Sequence, residues 1–284
     1  MDATTQIPET ALLPQPFAGW FAQKGWTPRP HQLALIEKTT GGQSALLIAP
    51  TGAGKTLAGF LPSLIALHGR PKRRPGQGFR GIHTLYISPL KALAVDIERN
   101  LGRPVEEMGL NLSIETRTGD TPQHKRARQK LNPPDILLTT PEQLALLIAS
   151  SEAQRFFKDL QFVVFDELHS LVASKRGHLL ALGLARLRTL APDLRAIGLS
   201  ATVAAPDDLR RWLVAQQPGH NNLAALVTVT GGARPDISIL STEERIPWQG
   251  HSARYAMGEV YEAIKSHKTT ILFVNTRSQA EMLF

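Results

Sequence analysis

The chain has 284 residues and a net charge of +8, with 42% hydrophobic and 20% charged residues. That balance buries a real core and excludes global disorder. The absence of cysteine excludes disulfides, thiolate metal sites and a cysteine nucleophile. No apolar run reaches the roughly 18–20 residues of a membrane helix. The polar N-terminus lacks a signal-peptide core, so a cytoplasmic protein with no membrane partner is expected. The positive charge favours a polyanionic partner, nucleic acid first.

Apolar runs at Ser44–Ile48, Thr84–Ser88, Asn111–Thr116, Asp135–Thr139, Phe162–Phe165, Ala196–Leu199 and Leu226–Val229 read as strands. Several are apolar on successive residues, as Ala45-Leu46-Leu47-Ile48, which suits strands buried on both faces of a parallel sheet. Helical segments lie between them at Thr56–His68, Ala92–Met108, Pro141–Ala149 and Leu179–Leu190. Strand–helix alternation predicts an α/β fold with a doubly wound, mostly parallel sheet.

Two stretches interrupt the alternation. Gly69–Gly81 carries five basic residues and four glycines, the composition of a surface loop. Residues 233–252 contain Pro235 and Pro247 and read as a linker. The expected organisation is a first domain at 1–232, this linker, and the start of a second domain at 253–284. In that last segment Tyr255–Lys265 reads as a helix and Thr269–Asn275 as a buried strand. A strand followed by barely a turn of helix makes no domain, so the chain reads as an N-terminal fragment.

Chemistry concentrates in two places. Ala49-Pro50-Thr51-Gly52-Ala53-Gly54-Lys55-Thr56 follows a strand and opens a helix, as a phosphate-binding loop requires. Its glycines let backbone N–H groups wrap phosphate oxygens, Lys55 reaches the β- and γ-phosphates, and Thr56 offers a hydroxyl to Mg²⁺. Ala49 stands where the strict pattern has glycine. Asp166-Glu167-Leu168-His169 follows a second strand, at the end where open α/β sheets bind ligands. Asp166 is placed to hold Mg²⁺ and Glu167 to orient or deprotonate the attacking water. Gln32 precedes the loop, and a glutamine amide can both donate to and accept from adenine. Taken alone, it is equally an ordinary helix-start glutamine. Ser200-Ala201-Thr202 ends another strand, where hydroxyls either bond the acids or cap a helix.

Together with Pro89-Leu90-Lys91-Ala92-Leu93, Arg117-Thr118-Gly119-Asp120, Thr139-Thr140-Pro141-Glu142 and Phe273-Val274-Asn275-Thr276-Arg277, these segments occur in the order of superfamily 2 helicases. The chain resembles that DEXH-box superfamily over residues 15–284. Lys55 and Asp166 are 111 residues apart and Asp166 and Ser200 are 34 apart, spacings that fit a RecA-like P-loop NTPase domain. Ser88–Leu93, Ser174-Lys175-Arg176-Gly177 and Val274–Arg277 resemble the Lhr-type (large helicase-related) branch. Gly102-Arg103-Pro104 and Glu115–Thr121 resemble its bacterial ligase-associated members.

The resemblance implies ATP and Mg²⁺ as cofactors, bound by Gln32, Thr51, Gly52, Ala53, Gly54, Lys55 and Thr56, with Thr56 and Asp166 at the metal. It implies coupling through His169, Ser200 and Thr202. It implies nucleic-acid contacts at Pro89, Lys91, Thr118, Gly119, Thr140, Pro141, Asn275 and Arg277, made to phosphates rather than to bases. The implied activity is ATP-driven 3′-to-5′ translocation on single-stranded DNA with unwinding of DNA or DNA–RNA duplexes. The setting is DNA repair, alongside a ligase and a nuclease. An ATP-gated clamp that does not unwind would share every motif. The implied fold is a RecA-like domain followed by the start of a second.

Overall fold

In the computed structural model, residues 13–71, 78–201, 203–229, 231, 236–241 and 253–283 are described. The chain divides into two compact units, Met1–Gly231 and Gly232–Phe284.

The first unit is built on seven strands: β1 (Ala45–Ile48), β2 (Thr84–Ile87), β3 (Ile114–Arg117), β4 (Ile136–Thr139), β5 (Phe162–Phe165), β6 (Arg195–Ser200) and β7 (Ala225–Thr228). Their order across the sheet is β3-β4-β2-β5-β6-β1-β7, and every pairing is parallel. Each parallel step needs a crossover, and helices supply it. These are α1 (Phe17–Gln23), α2 (Pro30–Thr40), α3 (Lys55–His68), α4 (Lys91–Glu107), α5 (Gln123–Leu131), α6 (Pro141–Ile148), α7 (Ala153–Phe157), α8 (Leu168–Val172), α9 (Lys175–Leu190) and α10 (Pro206–Trp212).

Strand side chains alternate between two apolar layers. Ala45, Leu47, Tyr86, Phe162, Val164, Ile197 and Leu199 pack with the first four helices. Leu46, Ile48, Leu85, Ile87, Val163, Phe165 and Ala196 pack with α6 through α10. Burial on both faces explains the unbroken apolar runs, and each fully buried Leu or Phe contributes roughly 1.5–3 kcal/mol. Sheet and helix layers meet without a gap at Gly198 in β6. A Cβ there would lie 2.6 Å from Leu168 Cδ2 and 2.9 Å from Leu213 Cδ1.

Element boundaries differ from the sequence reading in ways with local causes. The third strand begins at Ile114 rather than Asn111, because Ser113 is diverted into hydrogen bonds to Asp135 Oδ2 from its amide (2.9 Å) and hydroxyl (2.8 Å). The helix expected from Leu179 begins at Lys175, so Lys175 and Arg176 belong to its first turn.

In the second unit a 3₁₀ turn at Ala253–Ala256 leads into α11 (Met257–Lys265), and α12 spans Arg277–Leu283. The strand expected at Thr269–Asn275 is not formed. Ile271 and Phe273 are 75% and 88% exposed. An apolar run becomes a strand only beside a partner that takes its backbone hydrogen bonds, and no strand among the described residues pairs with this one. Most of the expected linker at 233–252 lies outside the described residues.

Candidate nucleotide cleft and nucleic-acid face

Sheet order decides what meets. The strands β5, β6 and β1 are neighbours, and all three run the same way. The segments that follow them therefore emerge side by side at one end of the sheet. The Ala49 amide donates to Ser200 O at 3.1 Å, and the Asp166 amide to Ile87 O at 2.9 Å. Thus the Ala49–Thr56 loop, the Asp166–Glu167 pair and Ser200 share one edge, at the switch between β1 and its crossover partners.

Within the loop, Gly52 (φ +80°) and Gly54 (φ +74°) adopt the left-handed backbone that glycine accepts without strain. The loop's carbonyls are occupied. Lys55, only 8% exposed, donates its ammonium to Ala49 O (2.9 Å) and Pro50 O (3.2 Å). Arg29 Nη1 donates to Gly52 O at 3.2 Å, and His31 Nε2 donates to Ala53 O at 2.9 Å. The carbonyls of Ala49, Pro50, Gly52 and Ala53 are thus engaged, and within the loop the Ala53 amide donates to Pro50 O at 3.2 Å. The first-turn N–H groups of α3, from Lys55 and Thr56 onward, have no intrahelical acceptor. A glycine-bent loop that runs into a helix N-terminus is the arrangement an anion-binding nest requires. Burial, and then the Arg29 charge, lowers the His31 pKa against the opposing pull of the Ala53 carbonyl.

Gln32 lies against the loop: a Cβ on Gly54 would sit 3.4 Å from its Nε2. Its Oε1 accepts from the Arg29 amide at 2.9 Å, which fixes the amide plane. A cavity of about 390 Å³ opens beside it, lined by Phe21, Gly25, Trp26, Arg29, Gln32 and Gly54. An aromatic wall and an oriented amide next to a phosphate nest suit a purine ring.

Asp166 is 5% exposed. Its Oδ1 accepts from the Glu167 amide at 3.1 Å, and its Oδ2 accepts from the Tyr86 hydroxyl. Tyr86 is fully buried and stacks on Phe60 at 5.0 Å. Burial, followed by the charges of Asp166 and Glu167, raises its pKa far above the usual tyrosine value. It is therefore a hydrogen-bond donor at every ordinary pH. Thr56 and Asp166 offer one hydroxyl and one carboxylate. That sparse oxygen set fits Mg²⁺, which keeps waters and completes its shell with phosphate oxygens.

Glu167 has φ +47°, the only non-glycine residue with positive φ among those described. Such a conformation costs on the order of 1–3 kcal/mol and persists where surrounding structure enforces it. Here Glu167 heads α8. Its Oε2 lies 3.5 Å from His169 Nε2, and His169 Nδ1 is 2.8 Å from Ser200 Oγ. A chain of polar contacts thus runs from Glu167 through His169 to the end of β6. Thr202 lies outside the described residues.

The segments expected to grip nucleic acid flank the same sheet end, after β2, β3 and β4. Thr118, Thr140 and Pro141 are buried, so Gly119 and neighbouring exposed groups present this face rather than the two threonine hydroxyls. The Thr118–Thr121 turn is self-braced, with Thr118 N donating to Thr121 Oγ1 at 2.9 Å. Arg126 donates to the Thr118 and Gly119 carbonyls. So the basic helix α5 contributes an internal brace as well as a charged surface. Lys91 is paired with Asp120 at 3.0 Å. Both side chains are largely exposed, and such a pair is weak enough for a phosphate to displace. Pro89 O accepts from Arg176 Nη1 at 2.8 Å. Asn275 and Arg277 lie in the second unit, where the Asn275 amide donates to Gln279 Oε1 at 3.1 Å.

Three contributors escaped the sequence reading, Arg29, His31 and Tyr86, whereas Arg176 stands in the Ser174-Lys175-Arg176-Gly177 segment quoted above. The first two flank Gln32 in Pro28-Arg29-Pro30-His31-Gln32, so proximity was the available signal. Tyr86 became visible only with the knowledge that β2 lies beside β5.

A sequence model of the DEAD/DEAH box helicase family matches residues 29–209. The chain is 36% identical over 282 residues to the Lhr helicase/probable uracil glycosylase of Mycolicibacterium smegmatis, covering 93% of this chain and 18% of that protein. It is 37% identical over 253 residues to ATP-dependent helicase Lhr-Core of Methanothermobacter thermautotrophicus, covering 84% and 29%. The solved structure of Mycobacterium smegmatis helicase Lhr bound to ssDNA and AMP-PNP superposes with a TM-score of 0.77 at 33% identity, covering 98% of this chain and 36% of that one. The chain therefore spans less than a third of the length of these curated relatives. With nearly two thirds of its residues inside the family match, the chain belongs to the DEAD/DEAH box helicase family.

Proposed function

We propose that this chain is the ATP-binding RecA-like part of a nucleic-acid-dependent ATPase that converts hydrolysis into movement along single-stranded DNA, 3′ to 5′. The observation that carries the proposal is one sheet edge holding the loop with Lys55, the Asp166–Glu167 pair and the Glu167–His169–Ser200 contacts. Lys55 would exchange its loop carbonyls for the β- and γ-phosphate oxygens. Glu167 would orient the attacking water and take its proton. When bound, Mg²⁺, held by Thr56 and Asp166, supplies charge neutralisation at the phosphates. Gln32 and the aromatic cavity would hold the base. His169 and Ser200 would report the state of Glu167 to β6. The ssDNA of the Lhr structure supports a strand as partner, and the sequence resemblance assigns it to Pro89, Gly119 and Pro141, with Asn275 and Arg277 from the second unit. Membership of a ligase-associated repair branch, with ligase and nuclease partners and a cytoplasmic setting, rests on the sequence resemblance.

Charge that develops on the γ-phosphoryl oxygens needs an arginine from outside this domain. Such a residue is worth about 10³–10⁵ in rate in related enzymes. Phosphate release should be measured for residues 1–284 and for a longer polypeptide that supplies a second RecA-like half. The proposal expects ssDNA-stimulated turnover only in the latter, lost in Glu167→Gln while ATP binding persists. Robust turnover by residues 1–284 alone, or an active Glu167→Gln, would overturn it.

A further inference from the structure

Arg176 lies outside the proposed strand-gripping segments and bonds to two of them at once. Its Nε donates to Glu142 Oε1 at 2.6 Å and its Nη2 to Glu142 Oε2 at 3.1 Å, a fork-to-fork pair. Its Nη1 donates to Pro89 O at 2.8 Å. Glu142 is the second residue of α6, which Thr140 caps and Pro141 opens, and Pro89 precedes α4. Burial would raise the Glu142 pKa, but hydrogen bonds from Arg176, its own backbone and Thr140 outweigh it and hold the carboxyl below its usual range.

The base that carries this fork is itself fixed. Arg176 sits in the first turn of α9, and the next residue is Gly177. A Cβ at Gly177 would lie 2.5 Å from Leu171 O, 2.6 Å from Val172 O and 2.8 Å from Val172 Cα. These are backbone atoms of α8 and cannot give way as a side-chain tip can. Only glycine lets α9 start hard against the end of α8, and Glu167 is the residue that caps the start of α8. The acid pair, the α8–α9 corner, Arg176 and the two segments thus form one continuous structure.

We propose that Arg176 is a positioning residue that sets the Pro89 and Pro141–Glu142 segments in the spacing that grips a nucleic-acid strand. It ties both to the helices that follow the catalytic acids. The guanidinium acts through Glu142 and the Pro89 carbonyl and makes no phosphate contact of its own. Lysine cannot replace it, because an ammonium lacks the planar fork that reaches both partners. The proposal rests on the nucleic-acid reading of this face.

The test is fluorescence anisotropy of a fluorescein-labelled oligo-dT over a salt series. Arg176→Ala should weaken binding about tenfold at every salt concentration, with an unchanged slope of log affinity against log salt. Arg176→Lys should not restore it. Glu142→Ala should weaken binding comparably, and the double variant should be no worse than either single one. Unchanged AMP-PNP affinity in each variant shows that the fold survives. If Arg176 were instead a phosphate ligand, Arg176→Ala would cut the slope by about 0.7. Glu142→Ala would then tighten binding by freeing the guanidinium. Either result, or wild-type affinity in Arg176→Ala, overturns the proposal. A wild-type protein that fails to bind oligo-dT even at low salt removes the nucleic-acid reading, and this inference with it.

Discussion

Tyr86→Phe removes one oxygen atom and probes the best-buried polar contact of the nucleotide cleft. The ring keeps its stacking on Phe60, because that contact uses the face and not the hydroxyl. What is lost is the donor to Asp166 Oδ2, in a pair where Tyr86 is fully buried and Asp166 is 5% exposed. A hydrogen bond to a charged group is worth about 1.5–3 kcal/mol, and the carboxylate oxygen left behind cannot turn to water without moving the Glu167 amide bonded to its partner oxygen. For a unit of this size each kcal/mol shifts Tm by about 2–4 °C, so the variant should melt about 3–12 °C below wild type. Differential scanning calorimetry measures the shift. Titration of AMP-PNP with and without Mg²⁺ should show that the metal-dependent part of the affinity falls more than the metal-independent part. An unchanged Tm together with an unchanged Mg²⁺ dependence would refute the reasoning that Tyr86 holds Asp166.

Gly177→Ala should cost about 1–3 kcal/mol, because the added methyl meets three backbone atoms of Leu171 and Val172 within 2.8 Å. Denaturant unfolding should show the loss, and oligo-dT affinity should fall with it as the α8–α9 corner shifts. Burial, then the Arg70 charge, lowers the His83 pKa from 6.5 to about 4. The unfolded chain therefore binds a proton first as pH falls, so stability is complete above pH 6.5 and declines toward pH 4 by up to about 3 kcal/mol. Tm measured between pH 7 and 4 should drop less steeply in His83→Gln than in wild type. Ser200→Ala should leave AMP-PNP affinity near wild type, because the Ser200 hydroxyl contacts His169, while its bond from the Ala49 amide uses the backbone carbonyl that alanine keeps. In a polypeptide that hydrolyses ATP, it should reduce the ssDNA stimulation of turnover, read as phosphate release.

The sheet's central strands were legible because burial on both faces writes itself as an unbroken apolar run. Phe162-Val163-Val164-Phe165 and Ala45-Leu46-Leu47-Ile48 became strands within a residue of the expected bounds. The run Thr269–Asn275 has the same character and forms no strand, because a run specifies what could be buried and not what covers it. Strand order was not legible. Nothing in the sequence says that β1 lies next to β6, yet that adjacency puts the Lys55 loop beside Ser200 and within one strand of Asp166. Motif residues announced themselves by type and spacing, whereas their supports did not. Tyr86 looks like one more core aromatic, and the segment that marks Arg176 does not say that it bonds Glu142 and Pro89. The left-handed backbone of Glu167 has no signature at all, since glutamate is not a residue that seeks it.

Everything proposed for the cleft depends on the Ala49–Thr56 loop being a nucleotide phosphate site completed by Asp166. Calorimetric titration of AMP-PNP into residues 1–284 with Mg²⁺ tests it most directly. Saturable one-to-one binding is expected, weakened at least tenfold by Lys55→Ala and weakened by Mg²⁺ removal in wild type but hardly in Asp166→Asn. Binding indifferent to both Lys55 and Mg²⁺, or no binding by a folded wild-type protein, would contradict it.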